Sequence, residues 1–274
     1  MKQYTIDDIE NYDQLSEKEK VKAAEMIHDI PTQEGYLTPA AKFFKENHWV
    51  KIENVIDKKV AEFLYEYVKL EAYRLSMIEH TLDRKAPGYD ESVWGDFHDP
   101  QAPGDFSRYG DLTFDTILAG INSQMEECTG LKLSPTYSYH RLYTKGTELK
   151  RHKDRPSCEI SATMCIGYNT SNLQDKKPDY NWPMFVKNDN GETGVNLNPG
   201  DVIIYKGCEL EHWREPYEGM NQAQAFFHFN EKQGKFDILY DCRPALGLTQ
   251  KYRNEEELKK HKEALDKERL DNGS

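Results

Sequence analysis

The chain has no apolar run that approaches the roughly 18 residues of a membrane-spanning helix, which argues against a helical membrane span. Its first ten residues, Met1 to Glu10, carry acids where a secretion signal would carry an apolar stretch, so a cytoplasmic protein is expected. It also lacks paired cysteines. The five, Cys128, Cys158, Cys165, Cys208 and Cys242, are odd in number, scattered and never in a C-x-x-C pair, which argues against a disulfide framework or a zinc ribbon. Nor is there a surplus of basic residues. With 36 Lys+Arg against 48 Asp+Glu the net charge is −12, and the pI near 5.3 implies a long-range field that repels phosphate. Nucleic acid and anionic membrane are therefore disfavoured as partners, although a local basic pocket is still allowed. There is no internal repeat.

What the chain does have is length and aromatic content. Its 274 residues make one large domain or two small ones and can enclose a sizeable core. Hydrophobic residues make up 37% and charged residues 31%, and 17 tyrosines dominate an aromatic share of 12%.

Residues 5 to 30 read as short polar helices ending before Pro31 and Gly35. A strand-like run, Trp49 to Ile56, precedes an amphipathic helix carrying Val60, Phe63, Leu64, Tyr67, Val68 and Leu70. A second helix is expected over Leu112 to Cys128, closed by Gly130. The intervening Asp83 to Asp111 reads as one long loop rich in glycine, proline and aromatic residues. From Leu133 the texture becomes period-two alternation, with strands expected over Thr136–Tyr143, Ile160–Tyr168, Met184–Lys187, Val202–Tyr205, Glu211–Arg214 and Gln222–Phe229. Regular short strands with glycine turns between them argue for a mainly β sandwich or barrel with flanking helices. The charged tail from Asn254 to Ser274 is expected as an exposed helix or frayed end without chemistry. The resulting division is a helical extension over 1–48, a domain over 49–250 and a tail over 251–274.

In Leu149-Lys150-Arg151-His152-Lys153-Asp154 a histidine and a carboxylate stand two apart, so at a strand end both project to one face. His212, two residues past Leu210 at the end of an apolar run and on a distant strand, is placed to supply a third ligand. Two imidazoles and one carboxylate on one face of an octahedral ion leave three positions open, as in non-haem Fe(II) oxygenases.

The stretches Tyr139–Asn169 and Pro199–Asn230, with H-x-D, intervening strands and then H, resemble the double-stranded β-helix (jelly-roll) core of the Fe(II)- and 2-oxoglutarate-dependent dioxygenases, in the prolyl-hydroxylase-like branch. The resemblance implies that His152, Asp154 and His212 bind iron, and that Fe(II), 2-oxoglutarate and O2 are used. A carboxylate at 154, where the related halogenases have a small residue, implies hydroxylation. The positions of Tyr143 and Tyr168 match tyrosines that contact 2-oxoglutarate in that branch. The branch's basic anchor, some nine to eleven residues after the distal histidine, is missing here, because those positions hold Asn221, Gln222 and Ala223. Arg214, on the face shared with His212, is the expected substitute, and Arg141 is either the second choice or a substrate contact.

By alternation, if Tyr143 points inward so do Arg141, Tyr139 and Tyr137, and if Tyr168 points inward so do Ile160, Ala162, Met164 and Ile166. His140 and His228 are not expected to be ligands. Arg155, Ser157 and Glu159 are read as a substrate rim or a turn, and the loops Asp83–Asp111 and Asn169–Asn196 as the mouth of the site. The expected activity is hydroxylation of an amino-acid or peptidyl, including prolyl, C–H bond, with release of succinate and CO2. The substrate is then a small molecule, peptide or protein. Two alternatives stand beside it. One is a zinc or manganese hydrolase or isomerase using Glu159 or Glu211 as base, and the other is an inactive jelly-roll binding module. Oligomeric state is left open.

Overall fold

The computed structural model describes residues 37–81 and 91–271. The helices expected between residues 5 and 30, and positions 82–90 of the long loop, lie outside the described residues. The β core has eight strands: β3 (Leu133–Thr144), β4 (Leu149–His152), β5 (Ile160–Asn169), β6 (Met184–Asn188), β7 (Gly191–Val195), β8 (Val202–Lys206), β9 (Glu211–Arg214) and β10 (Asn221–Glu231). Two short strands, β1 (Trp49–Ile52) and β2 (Phe106–Tyr109), extend one sheet at its edges, giving the order β1-β8-β5-β10-β3-β2; the second sheet runs β4-β9-β6-β7. Every pairing is antiparallel. Eight strands divided four and four between two facing sheets, with only β6 and β7 consecutive in one sheet, make a jelly roll, that is, a double-stranded β-helix.

Helices cover the outside of the larger sheet. They are α1 (Pro39–Asn47), α2 (Lys58–Thr81) and α3 (Leu112–Thr129). The Asp111 side chain caps α3 by accepting from the amides of Thr113 and Phe114, and Gly130, with φ 73°, ends it in the left-handed conformation. Leu64, Val68, Leu75, Phe114 and Leu118 from these helices share one core with Ile160, Ala162, Met164 and Ile166 of β5 and with Phe227 and Phe229 of β10. No described helix is long and apolar enough to cross a membrane.

That packing corrects the expected face of β5. Ile160, Ala162, Met164 and Ile166 point to the helices, so Ser161, Thr163 and Cys165 face the second sheet. Period two identifies the two sides of a strand and does not say which side meets helices. A register irregularity between Ala223 and Gln224 of β10, opposite Gly167 and Cys165, then turns Tyr168 back toward the cluster between the sheets. At Gly167 a Cβ would lie 2.7 Å from the Tyr65 ring of α2, so helix and irregularity fit only with glycine there.

Three more expectations change. The long loop contains a helical turn, Glu91–Trp94, as well as β2. β7, Gly-Glu-Thr-Gly-Val, has no apolar alternation and was not expected. The charged tail is a helix, α4 (Glu255–Asp271), and it is docked rather than frayed, with Leu265 buried against Cys208, Phe236 and Ile238. The chain from Pro39 onward forms one compact unit that includes α1 and α4.

Candidate active site

β4 and β9 pair so that His152 stands directly opposite His212, with ring centroids 4.2 Å apart. Asp154 follows in the next turn, and its Oδ1 lies 3.7 Å from His152 Nε2 and 3.5 Å from His212 Nε2. One donor atom from each of the three residues falls within 4.8 Å of the other two.

The surrounding hydrogen bonds aim these donors. His152 Nδ1 lies 2.7 Å from the carbonyl of Lys150, and His212 Nδ1 lies 3.0 Å from that of Leu210. Carbonyls only accept, so each Nδ1 carries the proton and each Nε2 turns a lone pair to the centre. Gln101 Nε2, 3.2 Å from His152 Nε2, agrees with that tautomer. Asp154 Oδ2 accepts from Ser161 Oγ at 2.8 Å, which leaves Oδ1 for the centre. Behind the carboxylate sits Gly207, where a Cβ would lie 2.3 Å from Oδ2.

Burial opposes ionisation of Asp154, but the imidazoles of His212, His228 and His152 outweigh it and hold the carboxyl well below the usual range. Burial and the neighbouring His212 push His152 down, whereas for His212 the Asp154 carboxylate overcomes burial and raises it. An anionic oxygen and two imidazole nitrogens, convergent and desolvated, form a donor set suited to a divalent transition metal with open positions. The described residues therefore fit such an ion.

The site opens into a cavity of about 320 Å³, lined by His152, Asp154 and His212 on one side and by Tyr139, Arg141 and Tyr143 on the other. The two candidate arginines are both buried but differ sharply in partners. Arg141 is neutralised: its Nη2 is 2.5 Å from Asp99 Oδ2, its Nη1 donates to the Tyr143 hydroxyl at 3.1 Å, and Gln101 Oε1 lies 3.4 Å away. Arg214, 1% exposed, donates from Nη1 to the Trp182 carbonyl at 2.6 Å and stacks over the Trp182 ring, while its Nε and Nη2 have no partner. Among the described residues no carboxylate pairs with it. Glu211 pairs with Arg151, and Glu215 accepts from Trp213 Nε1. Burial accordingly presses its pKa down. A desolvated guanidinium with idle donors fits an anionic ligand group.

Tyr143 is fully buried, edge-on to the same Trp182 ring. Neither Arg214 nor Tyr168 lines the cavity itself. Arg214 stands beside Tyr143 across Trp182, whereas Tyr168 packs with Trp49 on the cluster between the sheets. Glu159 accepts from Asn230 Nδ2 and Glu231 N, and Glu211 faces outward, so neither proposed base reaches the cavity. Arg155 lines the cavity, makes a two-point ion pair with the distant Asp241 and donates to Ser157 Oγ within its own turn. His140 lies on the helix side, bonded to Glu71 at 2.9 Å.

Three residues escaped the sequence reading, and a fourth, His228, was read only as a non-ligand. Asp99 and Gln101 arrive from the long loop, and no local spacing signals that. Gln224, fully buried with both amide atoms unpartnered, faces inward on β10 opposite Arg141 and Cys165. His228 shares that face, stacks on Tyr137 and lies 3.0 Å from Ser161 Oγ, so it stands directly behind Asp154. The alternation of Gln222, Gln224, Phe226 and His228 was the available signal for the last two.

No family model matches the chain, and no curated protein matches it. Among solved structures it is similar to a Pseudomonas putida prolyl-4-hydroxylase, 16% identical over 70% of this chain and 97% of that one, with a TM-score of 0.49. It is also similar to HygX of Streptomyces hygroscopicus, solved with nickel and 2-oxoglutarate, at 12% identity over 72% and 88% of the chains and a TM-score of 0.46. A Trichoplax adhaerens prolyl hydroxylase in complex with a hypoxia-inducible-factor peptide is 13% identical over 81% and 97%, with a TM-score of 0.44.

Proposed function

We propose that this chain is an Fe(II)- and 2-oxoglutarate-dependent oxygenase that hydroxylates an amino-acid or peptidyl C–H bond, prolyl among the candidates. The observation that carries the reading is the convergence of His152 Nε2, His212 Nε2 and Asp154 Oδ1 inside a jelly roll, beside a buried arginine with unused donors. In this reading His152, Asp154 and His212 hold iron. Arg214 takes the distal carboxylate of 2-oxoglutarate with Tyr143 beside it, and Tyr168 is left as a packing residue.

When bound, iron and 2-oxoglutarate supply the oxidising chemistry, in which O2 is consumed, succinate and CO2 are released and the substrate C–H bond gains a hydroxyl. The protein supplies position. The two Nδ1–H bonds keep both imidazoles in the ligating tautomer, and Ser161 keeps one carboxylate oxygen aimed. Arg141, already paired with Asp99 and set beside Gln101 and Tyr139, is the wall that meets the substrate, a small molecule or a peptide.

The hydrolase reading is weakened because neither Glu159 nor Glu211 reaches the cavity. A reducing cytoplasm fits the five free cysteines, four of them buried.

The test is an anaerobic titration of the full chain with Fe(II) and then 2-oxoglutarate, in wild type and Asp154→Ala. A visible charge-transfer band that needs both components and is absent from Asp154→Ala is expected. No band in wild type rejects the oxygenase and returns attention to another metal or to a binding module.

A further inference from the structure

The turn that carries Asp154 and the turn that leads to His212 are bridged from outside by the C-terminal helix. Arg269 Nη2 lies 2.9 Å from the carbonyl oxygen of Asp154 and 3.2 Å from that of Cys208. Both oxygens can only accept, so one nitrogen gives its two hydrogens to two different turns. The turns also meet directly, since Asp154 N donates to the Gly207 carbonyl at 2.8 Å.

The rest of α4 explains why this contact matters for where the helix sits. Its sequence, Glu-Glu-Glu-Leu-Lys-Lys-His-Lys-Glu-Ala-Leu-Asp-Lys-Glu-Arg-Leu-Asp, is too polar for burial of a broad face to hold it. Leu265 is its one buried leucine, 6% exposed against Cys208, Phe236 and Ile238, with Leu258 packed partly against the same cluster. Arg269 follows Leu265 by four residues and so shares its face. The helix thus reaches the protein at Cys208 twice, once through an apolar side chain and once through the carbonyl that Arg269 holds together with that of Asp154.

We propose that α4 is a positioning element for the metal site, and that Arg269 sets metal affinity by holding the main chain of Asp154 and Cys208 in register. The proposal rests on the reading of His152, Asp154 and His212 as metal ligands. Arg269 touches neither metal nor substrate and acts through the aim of Asp154 Oδ1. Once the main chain at 154 is free to shift, the carboxylate no longer holds its place against both Nε2 atoms, and partners outside the ligand set commonly change metal affinity by about 10- to 100-fold.

The test is an anaerobic Co(II) titration of the full chain followed by its visible absorption, together with thermal melting of the metal-free protein. Arg269→Met keeps the length of the side chain and removes its donors, and it is expected to weaken Co(II) binding about tenfold or more while the metal-free melting temperature stays close to wild type. Arg269→Lys, which restores charged donors, is expected to recover most of the loss. Leu265→Ala releases the helix by another route and is expected to weaken Co(II) binding with Arg269 intact. The proposal is overturned if Arg269→Met binds Co(II) as wild type does, or if its loss is matched by a fall in metal-free melting temperature that lysine does not restore. A wild-type protein that takes up no Co(II) would instead overturn the metal-site reading beneath it.

Discussion

The two faces of the larger sheet are built from the same strands to opposite ends. The face toward α2 and α3 is mostly apolar, built of isoleucine, valine, methionine, leucine and phenylalanine, and is broken by one buried polar patch in which His140 and Arg108 meet Glu71 of α2. The face toward the second sheet carries Tyr143, Arg141, Gln224, Ser161 and His228, all buried, and among them Gln224 and Arg141 keep polar atoms without partners, as does Arg214 on the strand across the interior. Buried polar groups are normally satisfied, and leaving one bare costs roughly 1–3 kcal/mol. On the helix side single atoms are bare at His140 and Arg108, whereas Gln224 and Arg214 on the inner side each leave two; that excess marks the inner face as built for a ligand, while the other holds the fold.

If this division is right, a cavity cut in the outer face should damage stability and leave ligand binding alone. Phe227 is fully buried on the outer face, one residue from His228 on the inner one. Phe227→Ala is expected to cost about 3–5 kcal/mol in urea unfolding, with the 2-oxoglutarate affinity of the remaining folded protein close to wild type. An affinity that falls in step with stability would mean that the two faces are not separable.

The inner face should respond in the reverse way, and its two arginines sharpen the contrast. Among the described residues Arg214 has no carboxylate partner, so Arg214→Met removes an uncompensated buried charge and is expected to leave metal-free stability unchanged or raised by about 1 kcal/mol. The same change is expected to weaken 2-oxoglutarate binding by roughly 10- to 100-fold, the loss of charge-assisted hydrogen bonds. Arg141→Met breaks an existing pair and is expected to destabilise by about 2 kcal/mol, less than for a fully buried pair because Asp99 reaches solvent. Isothermal titration and urea unfolding of both variants decide the matter. If Arg141→Met loses the cosubstrate while Arg214→Met keeps it, the roles assigned to the two are exchanged.

The same division explains which parts were legible in the sequence. His152, Asp154 and His212 could be found because strand ends turn a spacing of two into a shared face, and the glycine turns before them mark where strands end. The core strands were legible through alternation, but alternation carries no sign. On β5 the apolar set belongs to the helices, and the inward residues are the serine, threonine and cysteine between them. β7 was invisible because Gly191 and Gly194 replace the side chains that would have shown a period. Asp99 and Gln101 reach the site only through the tertiary path of a long loop. The docking of α4 rests on a few scattered contacts, Leu265, Leu258, Arg269 and the Glu268–Lys235 ion pair, in a helix whose composition otherwise reads as solvated.

A pH-dependent effect concerns His228, which lies on the inner face behind Asp154. Burial, only partly offset by the Asp154 carboxylate, pushes its pKa down to about 4 from an ordinary value near 6.5. Its ring stays neutral in the folded chain while the unfolded chain takes up a proton, so between about pH 6.5 and 4 the unfolded state binds more protons and stability falls as pH falls. The contribution is fully present above pH 6.5 and is lost as the pH drops toward 4, a change of about 2–3 kcal/mol. His228→Gln keeps a polar group beside Ser161 and removes the titration, so the metal-free variant should show a flatter stability profile across that window. Urea midpoints at pH 7, 6 and 5 for the two proteins measure it. Equal slopes would show that His228 does not titrate differently in the folded chain and that its place behind Asp154 is ordinary packing.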